Sequence, residues 1–380
     1  MVRRFISTCL VALSLSLALS SASSATAQAG TQAGTPYVDG ISDQSLPMWD
    51  GGFSSSYFAG LFRETWVAVP PSHITLARYV VQWNVIAGNY PRYLSEFRSW
   101  LTDISNLNLT PDVALTSYDG IYPSSSKEYQ RSLEQILDLA GDMGHPIHYL
   151  EAWNEPNNQG KESAVNAANF TNSASATCVD GYGCIVIAGN LEDSPNSSTY
   201  EEEYLANLNP VPTIWGVHPY YSVEEMSEAP FLNFREHLPD KGVGEQIWFT
   251  EISARECSDF DGHEMENGES GQAERASWLV STLMRNVKPE HVFYYEFLLG
   301  ENRLPSCASE GLDGALYLPS GDPAEPDYPR LAAGYIWGAA SASRVYIDGA
   351  FLANTAQRAL TGGGGLLPRH SQQASLTGGV

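Results

Sequence analysis

Eight short runs rich in β-branched and aromatic residues recur along this chain, and segments with helical spacing separate them. The runs are YVDGI (37–41), ITLARYVVQW (74–83), PDVALTSY (111–118), IHYLEAW (147–153), CIVIAG (184–189), TIWGVHPYY (213–221), QIWFTEIS (246–253) and HVFYYEFLL (291–299). Between them, segments such as 90–104, 126–143 and 271–287 repeat apolar residues at intervals of three and four, as amphipathic helices do. Strands that alternate with helices predict parallel strands joined by helical crossovers.

This alternation predicts the α/β class and, with eight units, a closed (β/α)8 TIM barrel rather than an open sheet. A doubly wound sheet is the structural alternative. No GxGxxG follows a strand in the sequence, which weighs against that alternative. We expect a single domain over residues 35–345.

Two terminal segments are predicted to lie outside the barrel. Residues 1–29 place Arg3 and Arg4 before a short apolar run that contains serines, and small residues follow. This is the pattern of a secretory signal peptide, so we expect an extracellular protein with no membrane segment after cleavage. Residues 359–380 are rich in Gly and Ser with little to bury, which predicts a disordered tail.

The charge balance constrains the partners of the chain. Asp and Glu number 44 against 20 Lys and Arg, giving a formal net charge of −24. Nucleic acids and anionic membranes attract clustered basic residues, so neither is an expected partner. A neutral or cationic substrate fits better, although the acidity is equally explained as a solubility feature of an exported protein.

Four cysteines remain after removal of the predicted signal peptide, which suggests two disulfides in an exported chain. They are Cys178, Cys184, Cys257 and Cys307, and three pairings are possible. We favour Cys178 with Cys184, which would close the loop CVDGYGC, and Cys257 with Cys307.

No metal site is predicted. The acidic loop CSDFDGHEMENGES has Asp259 and Asp261 at the first spacing of a calcium loop, but Glu264 occupies the position that requires Gly. HEMEN lacks the second His of a zinc protease motif, and the cysteines lack zinc-finger spacing.

Several of the predicted strands end in polar groups, where the active sites of such barrels lie. These groups are Arg78 on the second strand, Asn154 and Glu155 after the fourth, His218 and Tyr220 on the sixth, Glu251 on the seventh and Glu296 on the eighth. Two carboxylates facing each other across a barrel mouth suit glycoside hydrolysis, which needs an acid on the leaving oxygen and a carboxylate at the anomeric carbon.

Strand alternation predicts which of these side chains point into the barrel. In QIWFTE, Ile247, Phe249 and Glu251 share one face, which we expect to be the inward one. In GVHPYY, His218 and Tyr220 share the inward face by the same argument.

The motif WNEPN near the end of the fourth strand, with HPY on the sixth and FTE on the seventh, resembles the clan A glycoside hydrolases. The resemblance covers about residues 35–340 and is strongest to the family 39 and family 5 branches. FYYEFLL followed by GALYLPSGDPAEPDYPRL is similar to the last strand, short hairpin and final helix of such enzymes.

The resemblance implies a role for each matching residue. Glu155 would be the general acid and base, and Glu251 the nucleophile that forms a covalent glycosyl-enzyme. Asn154 would bind the sugar 2-hydroxyl. Tyr220 and Arg78 are candidates to hold Glu251 ionised, the first by a hydrogen bond and the second electrostatically.

Aromatic residues are candidates for walls that stack on a sugar ring, namely Trp83, Trp153, Tyr118 and Tyr294. Each has a structural alternative, since such residues more often belong to the core. The same choice applies to the polar candidates: His218 and Glu296 are about as consistent with a structural role as with a substrate contact. Glu155 and Glu251 have their own alternative, as solvated acids at the start of a helix and the end of a strand.

Alternation along YLEAWNE puts Tyr149, Glu151, Trp153 and Glu155 on the inward face, so Glu151 lies lower in the barrel than Glu155. A buried acid needs a partner, and Arg78 is the first candidate.

These observations predict a secreted hydrolase of O-glycosidic bonds that acts on a polysaccharide or oligosaccharide and needs no cofactor, and the resemblance to clan A implies that it is a retaining enzyme. The alternatives are a carbohydrate-binding barrel without activity and a transglycosylase that uses the same two glutamates. The sugar, the linkage and the oligomeric state are left open by these residues.

Overall fold

Eight parallel strands pair in chain order and close into a barrel, with β1 bonded to both β2 and β8. The strands are β1 (Gly40–Ser42), β2 (Leu76–Gln82), β3 (Thr110–Thr116), β4 (Tyr149–Glu151), β5 (Ile185–Glu192), β6 (Ile214–His218), β7 (Gln246–Ile252) and β8 (His291–Tyr294). The computed structural model describes residues 38–43, 74–158, 162–195, 197–238, 246–256, 268–297, 314–318, 328–329 and 331–340. The predicted (β/α)8 barrel is confirmed.

Helices follow the strands on the outside of the barrel. They are α1 (Pro91–Asn106), α2 (Ser126–Asp142), α3 (Ala164–Thr177), α4 (Ser198–Ala206), α5 (Tyr220–Glu224), α6 (Ala229–His237), α7 (Gly268–Trp278), α8 (Met284–Val287) and α9 (Leu331–Ala340). A π-helical turn, Cys178–Tyr182, follows α3, and another, Leu279–Leu283, joins α7 to α8. Among the described residues, no helix is long and apolar enough to cross a membrane.

The first long helices begin where the sequence supplies a start signal. Pro91 opens α1, where its missing N–H costs nothing. Ser125 caps α2 by accepting a hydrogen bond from the Glu128 N–H, and the Glu128 carboxylate accepts one from the Ser124 N–H. Apolar residues then recur along one face of α2 and are buried against the barrel.

Side chains inside and outside the barrel form two apolar layers. Inside, at the end where the strands begin, Trp248 of β7 contacts Tyr149 of β4 across the barrel, with 4.8 Å between ring centroids. Phe293 fills space beside Gly40, where an added Cβ would lie 2.5 Å from the Phe293 ring. Outside, Tyr79 of β2 packs on Trp100 of α1.

One predicted disulfide is present. Cys178 and Cys184 are bonded with their Cα atoms 4.8 Å apart, and they join the turn after α3 to the start of β5. Gly183 within this loop has φ +71°, a conformation that glycine adopts without strain.

The end of the chain contains a second expected feature and several that lie outside the described residues. Tyr317–Leu318 (β9) pairs antiparallel with Tyr328–Pro329 (β10), and α9 follows, as the resemblance implied. The signal peptide, the tail, the loop 257–267, and Cys257 and Cys307 all lie outside the described residues.

Candidate active site

Strand β2 and the C-terminal ends of β4, β6 and β7 contribute to one cluster of buried polar side chains. The predicted residues that the structure brings together there are Arg78, Asn154, Glu155, His218, Tyr220 and Glu251. Glu151, the last residue of β4, joins the same cluster. The cluster lies at the end of the barrel where the active sites of this fold occur.

Arg78 is the centre of the cluster. Its guanidinium binds Glu151 in a bidentate pair, with Nε to Oε1 at 2.7 Å and Nη2 to Oε2 at 2.8 Å. Nη1 donates to Glu251 Oε2 at 2.5 Å and to Ser42 Oγ at 3.2 Å, and Nη2 also donates to Asn154 Oδ1 at 2.6 Å. The predicted pairing of Arg78 with Glu151 is confirmed.

Opposing effects act on the charge of Arg78. Full burial disfavours the guanidinium charge, but the attraction of Glu151 and, next, of Glu251 outweighs it and raises the pKa of Arg78 above its ordinary value. Arg78 therefore stays charged, and removing a partner from such a buried pair costs about 3–5 kcal/mol.

Glu251 has a second donor besides Arg78. The hydroxyl of Tyr220 donates to Glu251 Oε1 at 2.8 Å. Burial and then the charge of Glu251 raise the pKa of Tyr220 well above its ordinary value, so the hydroxyl keeps its proton and remains a donor. The guanidinium of Arg255 lies 4.1 Å from the centre of the Tyr220 ring and pairs with Glu224 at 2.9 Å. Glu251 thus accepts a hydrogen bond on each of its two oxygens.

The inward position of Glu251 has a different origin from the one that the alternation predicts. Trp248 lies inside the barrel, and Phe249 faces outward, where it contacts Phe231 of α6 with 5.8 Å between ring centroids. The prediction that Phe249 faces inward is therefore wrong. The pairing of β7 with β8 shifts between Phe249 and Ile252, and this irregularity returns Glu251 to the interior.

Glu155 follows β4 in an unusual backbone conformation. Its φ is +46°, in the left-handed region that few side chains other than glycine adopt. The Glu155 N–H donates to the carbonyl of Asn190 at 3.0 Å, which ties this conformation to β5. β5 is itself irregular there, because its register to β6 shifts between Gly189 and Leu191.

Two side chains contact the carboxyl group of Glu155. His218 Nδ1 lies 2.9 Å from Oε1, and Asn158 Nδ2 donates to Oε2 at 3.2 Å. His218 is fully buried, and within the described part of the chain its Nε2 has no hydrogen-bond partner. The structure thus places His218 on Glu155 at the end of β6, as the inward alternation predicts, while Tyr220 opens α5 instead of ending the strand.

Asn157 and Asn158 form a connection that the sequence reasoning missed. Asn157 exchanges two hydrogen bonds with the backbone of Glu192, receiving from its N–H at 3.0 Å and donating to its carbonyl at 2.9 Å. Asn158 donates to the Glu192 carboxylate at 2.9 Å as well as to Glu155. The pair therefore fixes the segment after Pro156 to the end of β5. Two adjacent asparagines directly after the NEP motif were the available signal.

Glu155 and Glu251 lie close together. A carboxylate oxygen of each, with a ring nitrogen of His218, falls in a group whose atoms are all within 4.8 Å of one another. This is also a possible set of metal ligands by distance. The Arg78 guanidinium, 2.5 Å from Glu251, opposes a cation at that position, so the donor set does not fit a metal well.

Three of the four aromatic candidates are buried. Trp83 is buried, and its indole N–H donates to the carbonyl of Ile121 at 2.7 Å. Trp153 packs on Phe170 of α3 with 5.1 Å between centroids, because β4 ends at Glu151 and its alternation does not extend to residue 153. Tyr294 is buried, and its hydroxyl donates to the carbonyl of Gly314 at 3.0 Å. The expectation that Trp83 and Trp153 contact substrate is corrected, since both lie in the core.

Tyr118 differs from the other three because 46% of it is exposed. Its hydroxyl donates to the carbonyl of Val80 at 2.8 Å, and its N–H donates to Gln82 Oε1 at 2.6 Å. Its ring lies 5.1 Å from that of Tyr93. Tyr118 therefore presents a fixed ring face at the rim where β3 ends.

The two remaining candidates lie at strand ends. Asn154 uses its N–H to bind the carbonyl of Leu115 at 2.8 Å, so the residue is fixed by β3 as well as by Arg78. Glu296 is buried after β8, where its carbonyl accepts from the Leu316 N–H at 3.1 Å. A substrate contact by Glu296 stays a prediction.

Comparison with known proteins supports the fold. No protein-family model and no curated protein sequence matches this chain. A variant of GH5_18 from Streptomyces cattleya, in complex with Manb1-4GlcNAc, is similar with a TM-score of 0.58 and 12% identity over 82% of this chain and 82% of that chain. SrfJ from Salmonella typhimurium has a TM-score of 0.55 and 12% identity over 81% of this chain and 74% of its own. A glycoside hydrolase family 17 beta-1,3-glucanosyltransferase from Rhizomucor miehei has a TM-score of 0.50 and 10% identity, over 74% and 93%. At such identities, the likeness shows the barrel fold alone.

Proposed function

We propose that this protein is an exported retaining glycoside hydrolase that cleaves O-glycosidic bonds by double displacement. Glu155 is the general acid and base, and Glu251 is the nucleophile. Proteins of similar fold include glycoside hydrolases, so the fold is compatible with this function. The argument for the function comes from the site residues.

The separation of the two carboxyl groups is the observation that carries the proposal. Retaining enzymes hold their two carboxyl groups about 5–5.5 Å apart, whereas inverting enzymes leave about 6.5–9.5 Å for a water molecule. One oxygen of Glu155 and one of Glu251 lie within 4.8 Å of each other, which supports the shorter, retaining separation.

The different surroundings of the two carboxyl groups suit different roles. Arg78 and Tyr220 hold Glu251 as a carboxylate ready to attack the anomeric carbon. Glu155 instead contacts His218 and Asn158, and the negative charge of Glu251 nearby favours a proton on it. After Glu251 has formed the glycosyl ester, its charge is gone, and Glu155 can take a proton from water and complete the hydrolysis.

Asn154 supports the reaction through its amide. Its Oδ1 accepts from Arg78, so the amide nitrogen is the group left to donate to a substrate hydroxyl. The 2-hydroxyl of the sugar is the natural acceptor, because hydrogen bonds there strengthen toward the transition state. The proposed substrate is a neutral or cationic glycan, in keeping with the net charge of −24.

Export is proposed on two grounds. The first 29 residues have the pattern of a secretory signal peptide. The disulfide between Cys178 and Cys184 belongs to an oxidising compartment.

The test uses aryl α- and β-glycosides and polysaccharides with the wild type and with Glu251→Ala and Glu155→Ala. Each variant should lose about 10³-fold or more in kcat. Azide should restore turnover to both, giving the glycosyl azide of inverted configuration with Glu251→Ala and of retained configuration with Glu155→Ala. Glu202→Ala, whose side chain is 70% exposed on α4, is the matched control and should retain full activity.

Three results would count against the proposal. Sugar binding without turnover on any glycan indicates a binding protein. A first-formed product with the inverted anomer, seen by proton NMR, contradicts the double displacement. Products longer than the donor instead indicate a transglycosylase that uses the same two glutamates.

A further inference from the structure

A fourth carboxyl group, after Glu151, Glu155 and Glu251, lies at the floor of the site, below the residues that would meet a substrate. Asp112 of β3 is opposite Arg78 of β2 in the strand register and opposite Tyr149 of β4. It is fully buried. Its neighbour Val113 packs in the outer core, so alternation turns Asp112 into the barrel, toward Glu151 and Arg78.

Asp112 lacks the donors that an ionised carboxylate needs. Neither of its oxygens accepts a well-formed hydrogen bond within the described part of the chain, although the Val113 N–H is nearby. Its close polar neighbour is the carboxyl group of Glu151, which is within hydrogen-bonding reach. Two ionised carboxylates in contact inside a protein repel strongly, so one of the pair must carry a proton.

The hydrogen bonds decide which carboxyl group carries it. Glu151 accepts two bonds from Arg78, and Glu251 accepts one from Arg78 and one from Tyr220. These donors stabilise the charged form of both glutamates. Asp112 has no comparable donor, and an unpaired buried charge costs several kcal/mol.

We propose that Asp112 is a positioning residue that carries a proton, donates it in a hydrogen bond to Glu151, and so holds Glu151 against Arg78 beneath Glu251. The guanidinium then balances two carboxylates instead of three. Glu151 is held from one side by Arg78 and from the other by Asp112. The catalytic importance of Asp112 rests on the proposed function, whereas the protonation of Asp112 does not.

The electrostatics of the surrounding groups agree with this assignment. Burial and then the charge of Glu151 raise the pKa of Asp112 well above its ordinary value, and Arg78 lowers it by less. The titratable groups that face Asp112 are Arg78 from β2 and Glu151 and Tyr149 from β4. Arg78 is the cation among them, and it is already paired with Glu151.

The direct test compares wild type with Asp112→Asn, whose amide can donate as the protonated acid does. A buried acid that stays protonated takes up a proton on folding above its unfolded pKa. The wild-type unfolding constant, divided by that of D112N, should therefore rise about tenfold per pH unit between pH 5 and 8. D112N should also lose a carboxylic-acid C=O band from the infrared difference spectrum at pH 7.

A ratio that stays constant with pH, together with an unchanged infrared band, would show that Asp112 is ionised and overturn the proposal. Failure of D112N to fold would overturn it as well, because a neutral donor should be tolerated. None of these readouts needs activity, so they remain informative even if the protein proves not to be a hydrolase.

Activity gives the second readout. D112N should retain kcat within about threefold and leave the acidic limb of the pH–rate profile in place, since the charge around Arg78 is unchanged. Asp112→Ala removes the donor and should lower kcat more than D112N does. If D112N instead moves the acidic limb to lower pH, it has removed a real negative charge near Glu251, and the proposal is wrong.

Discussion

Tyr220 is the neutral donor on the proposed nucleophile, and its contribution can be separated from that of Arg78. Tyr220→Phe removes the 2.8 Å bond to Glu251 while keeping the ring beneath Arg255. A hydrogen bond to a charged group is worth about 1.5–3 kcal/mol, so we expect kcat/KM to fall about 10- to 100-fold.

The matched control for this variant is Tyr182→Phe, which removes a 2.8 Å hydroxyl bond to Asp138 on a partly exposed loop away from the site. It should leave kcat/KM unchanged. An unchanged kcat/KM in Tyr220→Phe would indicate that the hydroxyl of Tyr220 does not contribute to the action of Glu251.

Tyr118 is the accessible member of the four aromatic candidates, and its fixed ring suits stacking on a sugar beyond the cleaved bond. Tyr118→Ala should raise KM for oligosaccharides about 10-fold and leave kcat on a short aryl glycoside within about twofold. Ile121→Ala is the control, because Ile121 is 58% exposed on the same loop without an aromatic ring. Equal losses on both substrates would place Tyr118 among the structural residues.

The sequence identifies the site residues that belong to a short motif or that follow from alternation within one strand. WNEP, HPY and FTE locate Glu155, His218 and Glu251, and alternation finds Glu151 and its partner Arg78. It does not find Asp112 or Asn158, because their partners come from other strands and depend on how the barrel closes. It misplaces Trp153 because alternation carries no information on where a strand ends.

Among the elements, β5, β6 and β7 meet at Gly216 with no space for a side chain. A Cβ at Gly216 would lie 1.9 Å from Asn190 Oδ1 and 2.9 Å from Thr250 Oγ1. Asn190 is the residue whose carbonyl accepts the Glu155 N–H. Because residue 216 of β6 is a glycine, Asn190 in the irregular part of β5 can lie close to β6 and hold Glu155 in its left-handed conformation.

Gly216→Ala should therefore damage both stability and activity. Overpacking of this kind costs about 1–3 kcal/mol, which a urea unfolding curve measures. Displacement of Asn190 should lower kcat more than KM changes. Gly141→Ala is the control, since a Cβ there meets nothing within 4 Å. Normal kcat in a destabilised Gly216→Ala would mean that Asn190 does not position Glu155.

Apolar residues that recur every second residue, or every third to fourth residue, predict all eight strands and the long helices α1 and α2. They do not predict the irregular registers of β5 and β7. Such shifts add a residue to one strand relative to its neighbour. They depend on how two strands pair, and the residue pattern of one strand gives no information about that pairing. Glu251 faces inward as expected, but the shift between Phe249 and Ile252 puts it there.

Over the whole molecule, buried acids set the response of stability to pH. Burial raises the pKa of Asp193 to about 7 and that of Glu201 to about 7, from ordinary values near 4. A carboxyl group with a raised folded pKa stabilises the protein fully below its unfolded pKa, and this contribution is lost as the pH rises from about 4 to about 7. The free energy of unfolding should therefore be higher at pH 5 than at pH 7.5, as urea titrations can measure.

The double variant Asp193→Asn with Glu201→Gln should flatten this dependence. Self-repulsion from the net charge of −24 acts in the same direction, but salt screens it, whereas buried groups respond little. Repeating the titrations in high salt separates the two causes. A slope that disappears with salt, or one that the double variant leaves intact, would contradict the role of the buried acids.

The disulfide between Cys178 and Cys184 closes the chain directly before the first residue of β5, at the opposite end of the barrel from Glu155 and Glu251. Val179 within its loop is 83% exposed. A linker or solid support attached through this loop would leave the mouth of the barrel facing the surrounding liquid. The same loop would accept a fluorescent label whose signal is independent of what occupies the cleft.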